Sequence, residues 1–242
     1  MLDGKQKYFA QMLDRQKSQF NSSLGSNFQF FIPRDDVRSS QTFAFLFKRL
    51  FDVVVSSLVL SIVALPLLSI AISIKIDSPG SAFYRQTRIG LKGRRFEVLK
   101  LRTMVHNAEH IQMSLESQNE IEGGVLFKIK QDPRITRIGK FLRRYSIDEF
   151  PQLINVLKGD MSLVGPRPLT LRDVSKLPEE QSIRTEVLPG ITGLWQVSGR
   201  SHTSSEQLGE CDLSYIQRWS IFLDLTILLK TFQVVIAGDG AY

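Results

Sequence analysis

A chain of 242 residues with 43% hydrophobic content is long enough for one packed domain with attachments. Its single cysteine, Cys211, excludes an intramolecular disulfide and fits a reducing compartment. The formal charge is +7, and it is concentrated: residues 75–144 hold 15 Lys and Arg against 7 Asp and Glu, a net of +8. Such a block suits nucleic acid, anionic lipid or a phosphorylated small substrate.

Residues 1–41 are polar and have no sustained apolar period. They read as a largely disordered tail with a short helix near residues 8–20. An early apolar core and a small-residue cleavage site are both missing, which argues against a signal peptide. Residues 53–74 then run for 22 positions without a charge. As a helix that is about 33 Å, enough to cross a hydrocarbon core. Pro66 near the middle predicts a kink. Both flanks are basic, with Lys48 and Arg49 before and Lys75, Arg85 and Arg88 after. Positive flanks favour the cytosol. A helix that enters and leaves by the same face satisfies both, with a single span as the alternative. Ser61 and Ser69 are candidates to partner backbone groups freed at the kink.

Residues 82–104 read as two strands joined near Gly90-Leu-Lys-Gly93. The pleat of the second puts Lys100 and Arg102 on one face, Leu99 and Leu101 on the other. Residues 105–118 read as a helix, Gly123-Gly124 as a break, and residues 125–130 as a strand turned by Asp132-Pro133. His106-Asn-Ala-Glu-His110 spells H-x-x-E-H, a zinc pattern on a helix. Without supporting context it reads as polar helix surface. Residues 134–145 have helical spacing, with Arg137, Lys140 and Arg144 on one face.

This basic run leads into Ser146-Ile-Asp-Glu-Phe-Pro-Gln152 and a helix over 153–157. Ser146 and Glu149 match a capping box. Alternatively Asp148 is the cap, with Pro151 in the first turn. Either way one carboxylate is left over. A helix N-terminus with Arg143 and Arg144 nearby favours an ionised Asp148. An ionised, fixed carboxylate can attack phosphorus or bind Mg2+. Further on, Arg167 stands between Pro166 and Pro168, on a stiff extended backbone that suits an anion clamp as well as it suits a plain rigid loop. Trp195 reads as core packing before stacking on a base or sugar. Residues 213–219 and 220–237 read as helices. Asp224 and Lys230 make the second a packed or interface-lying helix rather than a span. No Walker or dinucleotide fingerprint is present. A membrane insertion, fixed cations and an acidic pair suit transfer of a phosphorylated group to or from a lipid.

Several motifs together resemble the bacterial sugar transferases, the monotopic polyprenyl-phosphate phosphoglycosyl transferases of exopolysaccharide synthesis. They are Lys48-Arg-Leu-Phe-Asp52, Lys100-Leu-Arg-Thr-Met104, Asp132-Pro-Arg-Ile-Thr-Arg-Ile-Gly139, Asp148-Glu-Phe-Pro-Gln152, the run from Asn155 to Pro168, and Pro189-Gly-Ile-Thr-Gly193. The resemblance covers residues 48–242. It implies that a UDP-sugar gives a sugar 1-phosphate, a hexose phosphate by analogy, to undecaprenyl phosphate with Mg2+ as cofactor and release of UMP. It implies Asp148 as nucleophile and metal neighbour, with Glu149 as its catalytic partner. Lys100, Arg143 and Arg167 would bind the diphosphate, with Arg102 as a weaker candidate. The family's membrane element is a re-entrant helix broken at a proline, which matches Pro66. Glu210-x-Asp212-x-x-Tyr215 resembles a further family motif without an assigned role. The short length looks like the compact members.

The expected fold is an α/β, membrane-anchored small domain with a Pro-kinked re-entrant helix, interfacial amphipathic helices and a small sheet. The expected organisation is a tail over 1–47, a membrane helix over 48–75 and a cytosolic catalytic domain over 76–242. The expected place is the cytosolic face of a bacterial inner membrane, whose bilayer is then a partner. Nucleic acid is not an expected partner, and homo-oligomerisation is left open. The rival reading is a non-catalytic membrane adaptor of a polysaccharide assembly complex.

Overall fold

A computed structural model describes residues 38–115, 129, 131–199 and 205–238. The readings made for residues 8–20, 116–128 and His202 lie outside the described residues. One long apolar helix carries a mixed domain of short helices and small sheets.

Helix α1, Arg38–Asp77, is continuous and has Pro66 inside it. It begins ten residues earlier than the sequence reading, within the segment assigned to the tail. The reason is visible at its start, where Phe45 stacks on Trp219 with ring centroids 5.2 Å apart. Ring stacking there ties this part of the helix to the domain, beyond its charge-free stretch. At 1.5 Å per residue, the 40-residue helix is about 60 Å long if straight. Ser61 and Ser69 donate to the carbonyls of Ser57 and Leu65. They do not partner Ile62, whose carbonyl Pro66 leaves without its helical donor.

Two antiparallel strands follow. β1, Phe83–Ile89, pairs with β2, Arg95–Leu101, in a register that sets Tyr84 opposite Lys100 and Arg88 opposite Phe96. The turn between them takes left-handed conformations at Lys92 and Gly93. Helix α2, Ala108–Leu115, starts after His106, so the H-x-x-E-H residues do not share one helix. Helix α3, Arg137–Arg144, is capped by Thr136, whose side chain accepts from the Gly139 amide. Helix α4, Gln152–Lys158, ends at Gly159 with φ of 90°.

A second, parallel pair is made by β3, Ser162–Val164, and β4, Gly190–Thr192. Helices α5, Leu171–Val174, and α6, Leu194–Val197, are single turns. Helices α7, Ser205–Arg218, and α8, Ile221–Ala237, close the described chain. Trp195 is buried with Leu169 and Leu208, as core packing required.

The domain grips α1 at both ends. Towards the N-terminus, Lys48 pairs with Asp224 at 2.5 Å. Arg49 donates to the last-turn carbonyls of Val156 and Leu157 in α4, at 2.6 and 3.0 Å. Buried Asp52 accepts from the Leu163 amide at 3.2 Å. Phe51, Val55 and Val59 pack on the cluster of Leu153, Leu163 and Ile227. Towards the C-terminus, Ala71 and Ile74 join Leu101 and Leu142 in another core cluster. Between these grips, Ile62, Leu65 and Leu68 are exposed. The outer side of α8 exposes Phe222, Leu225, Leu229, Phe232 and Ile236.

Gly139 sits where α3 crosses the segment after β2. A Cβ there would lie 2.0 Å from the Thr103 carbonyl oxygen. Gly139→Ala should therefore cost about 1–3 kcal/mol by overpacking. The expected observation is a lowered unfolding midpoint in detergent, and an unchanged midpoint would show that α3 is free to shift.

Candidate active site

The acidic pair is placed by a sharp exit from α3. Ser146 takes the left-handed region, φ 52° and ψ 24°, and makes no side-chain cap. Its amide bonds back to Arg143 O at 3.0 Å, so it stops α3 rather than starting a helix. One 3-10 turn, Ile147–Glu149, follows, and Pro151 is the N-cap of α4. Neither capping reading therefore holds. Asp148 is buried, at 7% exposure.

Asn155 ties this turn to the hairpin. Its side-chain oxygen accepts from the Leu99 amide at 3.1 Å, and its nitrogen donates to Glu97 O at 2.7 Å. The amide thus acts as one more strand residue along the open edge of β2. That fixes Lys100 against α4. Lys100 Nζ reaches Glu149 Oε1 at 2.6 Å, and Arg167 Nη1 approaches the same oxygen at 3.5 Å. Arg143, at the end of α3, donates through Nε to Thr103 Oγ1 at 2.9 Å.

Four of the predicted site residues, Lys100, Arg143, Glu149 and Arg167, surround Asp148 electrostatically. Burial pushes the Asp148 carboxyl above its usual range and Glu149 adds to the rise, while Lys100, Arg143 and Arg167 oppose it. The sequence expectation of a carboxylate held ionised by a helix end gives way to desolvation. Arg144 takes no part: it is exposed and lies over the Tyr145 ring. Lys100 and Arg143 are pulled below their usual range by burial. Among the described residues, none donates a hydrogen bond to the Asp148 carboxylate.

Arg102 is committed elsewhere. β2 ends at Leu101, so the alternation that would pair Arg102 with Lys100 stops there. Its guanidinium donates to the carbonyls of Pro79 and Ser78, the latter at 2.7 Å, just beyond the C-terminal end of α1. Gly80 leaves room for it, since a Cβ there would lie 2.5 Å from Nη1. Arg102 is an anchor of the membrane helix and not part of the cation cluster.

Arg88 was missed by sequence reasoning. It lines a cleft of about 200 Å3 with Lys100, Glu149, Gln152 and Arg167. It donates to Pro168 O at 2.9 Å. Burial, with the neighbouring Arg167, brings its pKa down to about 10, so it stays charged at neutral pH. The signal was the strand alternation, but only the hairpin register puts Arg88 on the face of Lys100. Four cations thus meet two carboxylates, an excess of positive charge that suits an anion bearing two phosphates.

A family model described as bacterial sugar transferase matches residues 43–238. The chain belongs to the bacterial sugar transferase family. Three relatives illustrate the range. It is 42% identical to the undecaprenyl-phosphate galactose phosphotransferase of Salmonella typhimurium, over 81% of this chain and 41% of the relative. It is 44% identical to the UDP-glucose:undecaprenyl-phosphate glucose-1-phosphate transferase of Caulobacter vibrioides, over 81% and 72%. With the exopolysaccharide production protein ExoY of Sinorhizobium fredii it shares 36% identity over 88% and 95%. This sugar transferase spans less than half the length of several curated relatives it matches.

The burial of Asp148 has a consequence for stability. An acid whose folded pKa lies above its unfolded value stabilises fully below the unfolded value, and that contribution is lost as pH rises through the folded pKa. At pH 8 the wild type therefore carries the cost of a buried charge that Asp148→Asn lacks. In chelator-treated protein, Asp148→Asn should unfold a few degrees higher than wild type at pH 8, at roughly 2–4 °C per kcal/mol. The gap should shrink towards pH 4. A lower midpoint for the variant at pH 8 would contradict the direction of the shift.

Proposed function

We propose that this chain transfers a sugar 1-phosphate from a UDP-sugar to undecaprenyl phosphate, as the names of its relatives describe for those proteins. The observation that carries the reading is a buried, unbonded carboxylate, Asp148, inside a cluster of cations beside a long apolar helix. An Asp148 oxygen attacks the β-phosphorus of the donor. The bond from that phosphorus to the bridging oxygen breaks, and UMP leaves with the oxygen. The sugar phosphate is then held on Asp148 as an acyl phosphate. An oxygen of undecaprenyl phosphate attacks the same phosphorus and displaces the carboxylate. The products are undecaprenyl diphospho-sugar and regenerated Asp148.

Desolvation makes Asp148 a stronger nucleophile than a solvated carboxylate, while Lys100, Arg143 and Arg167 keep it available in the charged form. Arg88, Lys100 and Arg167 line the cleft and would receive the donor's phosphates. Glu149 holds Lys100 in place by its 2.6 Å contact, so its part is to orient the cations.

The donor set fits Mg2+. Asp148 and Glu149 are hard oxygen ligands, and Mg2+ takes one or two carboxylates with substrate phosphates and waters. Asp148 would hold it, and the ion would supply charge neutralisation on the diphosphate. The excess of cations already favours binding of the phosphates, so the chain's own residues position the donor.

The membrane reading rests on α1. Its two ends are gripped by one domain, and the stretch around Pro66 between the grips is apolar and exposed. A helix that enters and leaves a leaflet by one face accommodates both grips and both basic flanks. The exposed apolar side of α8 would lie at the same interface. The domain then sits at the cytosolic face of the inner membrane, within reach of a lipid phosphate.

Two experiments test this. Purified protein with undecaprenyl phosphate, Mg2+ and a panel of UDP-sugars should release UMP, and Asp148→Asn should lose about 10^3-fold or more of that rate. Full UMP release by the variant would remove Asp148 from the chemistry, while no release by the wild type with any donor would favour the adaptor. Separately, single cysteines placed at Phe47 and Asp77 in a Cys211→Ser background should label from the same side of sealed vesicles. Labelling from opposite sides would establish a span.

A further inference from the structure

The Arg167 clamp has few ways to be held by its own backbone. Pro166 and Pro168 have no N–H, so the carbonyls are the handles available. Side chains from four elements grasp carbonyls of the run from Val164 to Pro168. Lys48 of α1 and Tyr215 of α7 donate to Val164 O at 3.2 and 3.1 Å. Arg88 of β1 donates to Pro168 O at 2.9 Å. Arg184, on the 3-10 helix Glu179–Glu186, donates to Arg167 O itself at 2.8 Å.

Arg184 is in turn charge-paired. Its Nη2 lies 2.9 Å from Asp212 Oδ2, an ion pair outside hydrogen-bond geometry, and both side chains are 5% exposed. Arg184 is pulled below its usual range by burial, opposed by Asp212 and Asp173. Burial pushes Asp212 up to about 6, opposed by Arg184. A charged pair this dry is weak support for stability against an apolar replacement. Its geometry serves another end, because the same nitrogen that meets Asp212 holds the carbonyl of the phosphate clamp.

We propose that Arg184 and Asp212 are positioning residues for Arg167, setting the guanidinium that faces Glu149 and the donor's phosphates. This rests on the sugar-phosphate transfer proposed above. It gives the Asp212-x-x-Tyr215 motif one task, since Asp212 and Tyr215 both steady the loop from Val164 to Pro168. A lysine at 184 keeps the charge but carries it on a flexible stem without the rigid guanidinium plane that places Nη2.

The test is a double-mutant cycle on UMP release from a UDP-sugar with undecaprenyl phosphate and Mg2+. Arg184→Lys should lower kcat/KM for the UDP-sugar by about 10- to 100-fold, the scale expected when a clamp is displaced by about an ångström. In an Arg167→Ala background the same substitution should change kcat/KM by less than about twofold, because its effect passes through Arg167. The neutral pair Arg184→Met/Asp212→Asn should reproduce the loss with an unfolding midpoint near wild type. The inference is overturned by three results: activity of Arg184→Lys within twofold of wild type, a full additional loss in the Arg167→Ala background, or failure of both Arg184 variants to fold. If the wild type turns over and the Arg184 variants match it, only this inference falls. A wild type that releases no UMP takes the proposed function and this inference down together.

Discussion

A carboxylate buried at 7% exposure is the constraint on which the rest of the structure depends. Removing a charge from water costs several kcal/mol unless other charges compensate. Lys100, Arg143 and Arg167 supply the compensation, and Arg88 stands with Lys100 and Arg167 at the cleft. Cations so close together repel, which shows in the lowering of Arg88 by Arg167. They stay together because they are mounted on rigid supports: the two strands of the hairpin, a helix end and a proline-bounded loop.

Those supports are joined by polar side chains that act as backbone. Asn155 completes the edge of β2. Arg49 binds the last carbonyls of α4, sharing Val156 O with the Gly159 amide and taking Leu157 O as well. Arg102 does the same beyond the end of α1. Each is a charged or amide group spent on a carbonyl or an amide, and each links two elements far apart in the chain. Two of the three join α1, or the turn that follows it, to the rest of the domain, so the cleft and the long apolar helix form one mechanical unit.

Much of the architecture was legible in advance. The charge-free run around Pro66, the hairpin over β1 and β2, the helices α3, α4 and α8 and the second half of α7 follow from periodicity and turn residues, which are local, whereas the single turns α5 and α6 and the pair β3 and β4 were not read. The family resemblance implied that Asp148, Glu149, Lys100, Arg143 and Arg167 belong together, and the structure brings them together. The errors are instructive. Arg102 was placed beside Lys100 by alternation, which fails because the strand ends one residue earlier. Ser146 was assigned a cap because its spacing to Glu149 allows one, whereas its left-handed φ makes it a stop. Both depend on where an element ends, and an end is settled by the packing around it.

The sequence by itself determined the hairpin, the longer helices, the acidic pair, the cationic excess and the long apolar segment, because these are matters of residue type and short-range spacing. Only the tertiary structure decided which cations meet the carboxylates, that Arg88 belongs among them, and that Asp148 is raised by burial. It alone joined Arg184 and Asp212 to Arg167. The physical reason is that desolvation and ion pairing depend on distance in space, and partners such as Arg167 with Arg184 and Lys100 with Glu149 lie 17 and 49 residues apart in the chain.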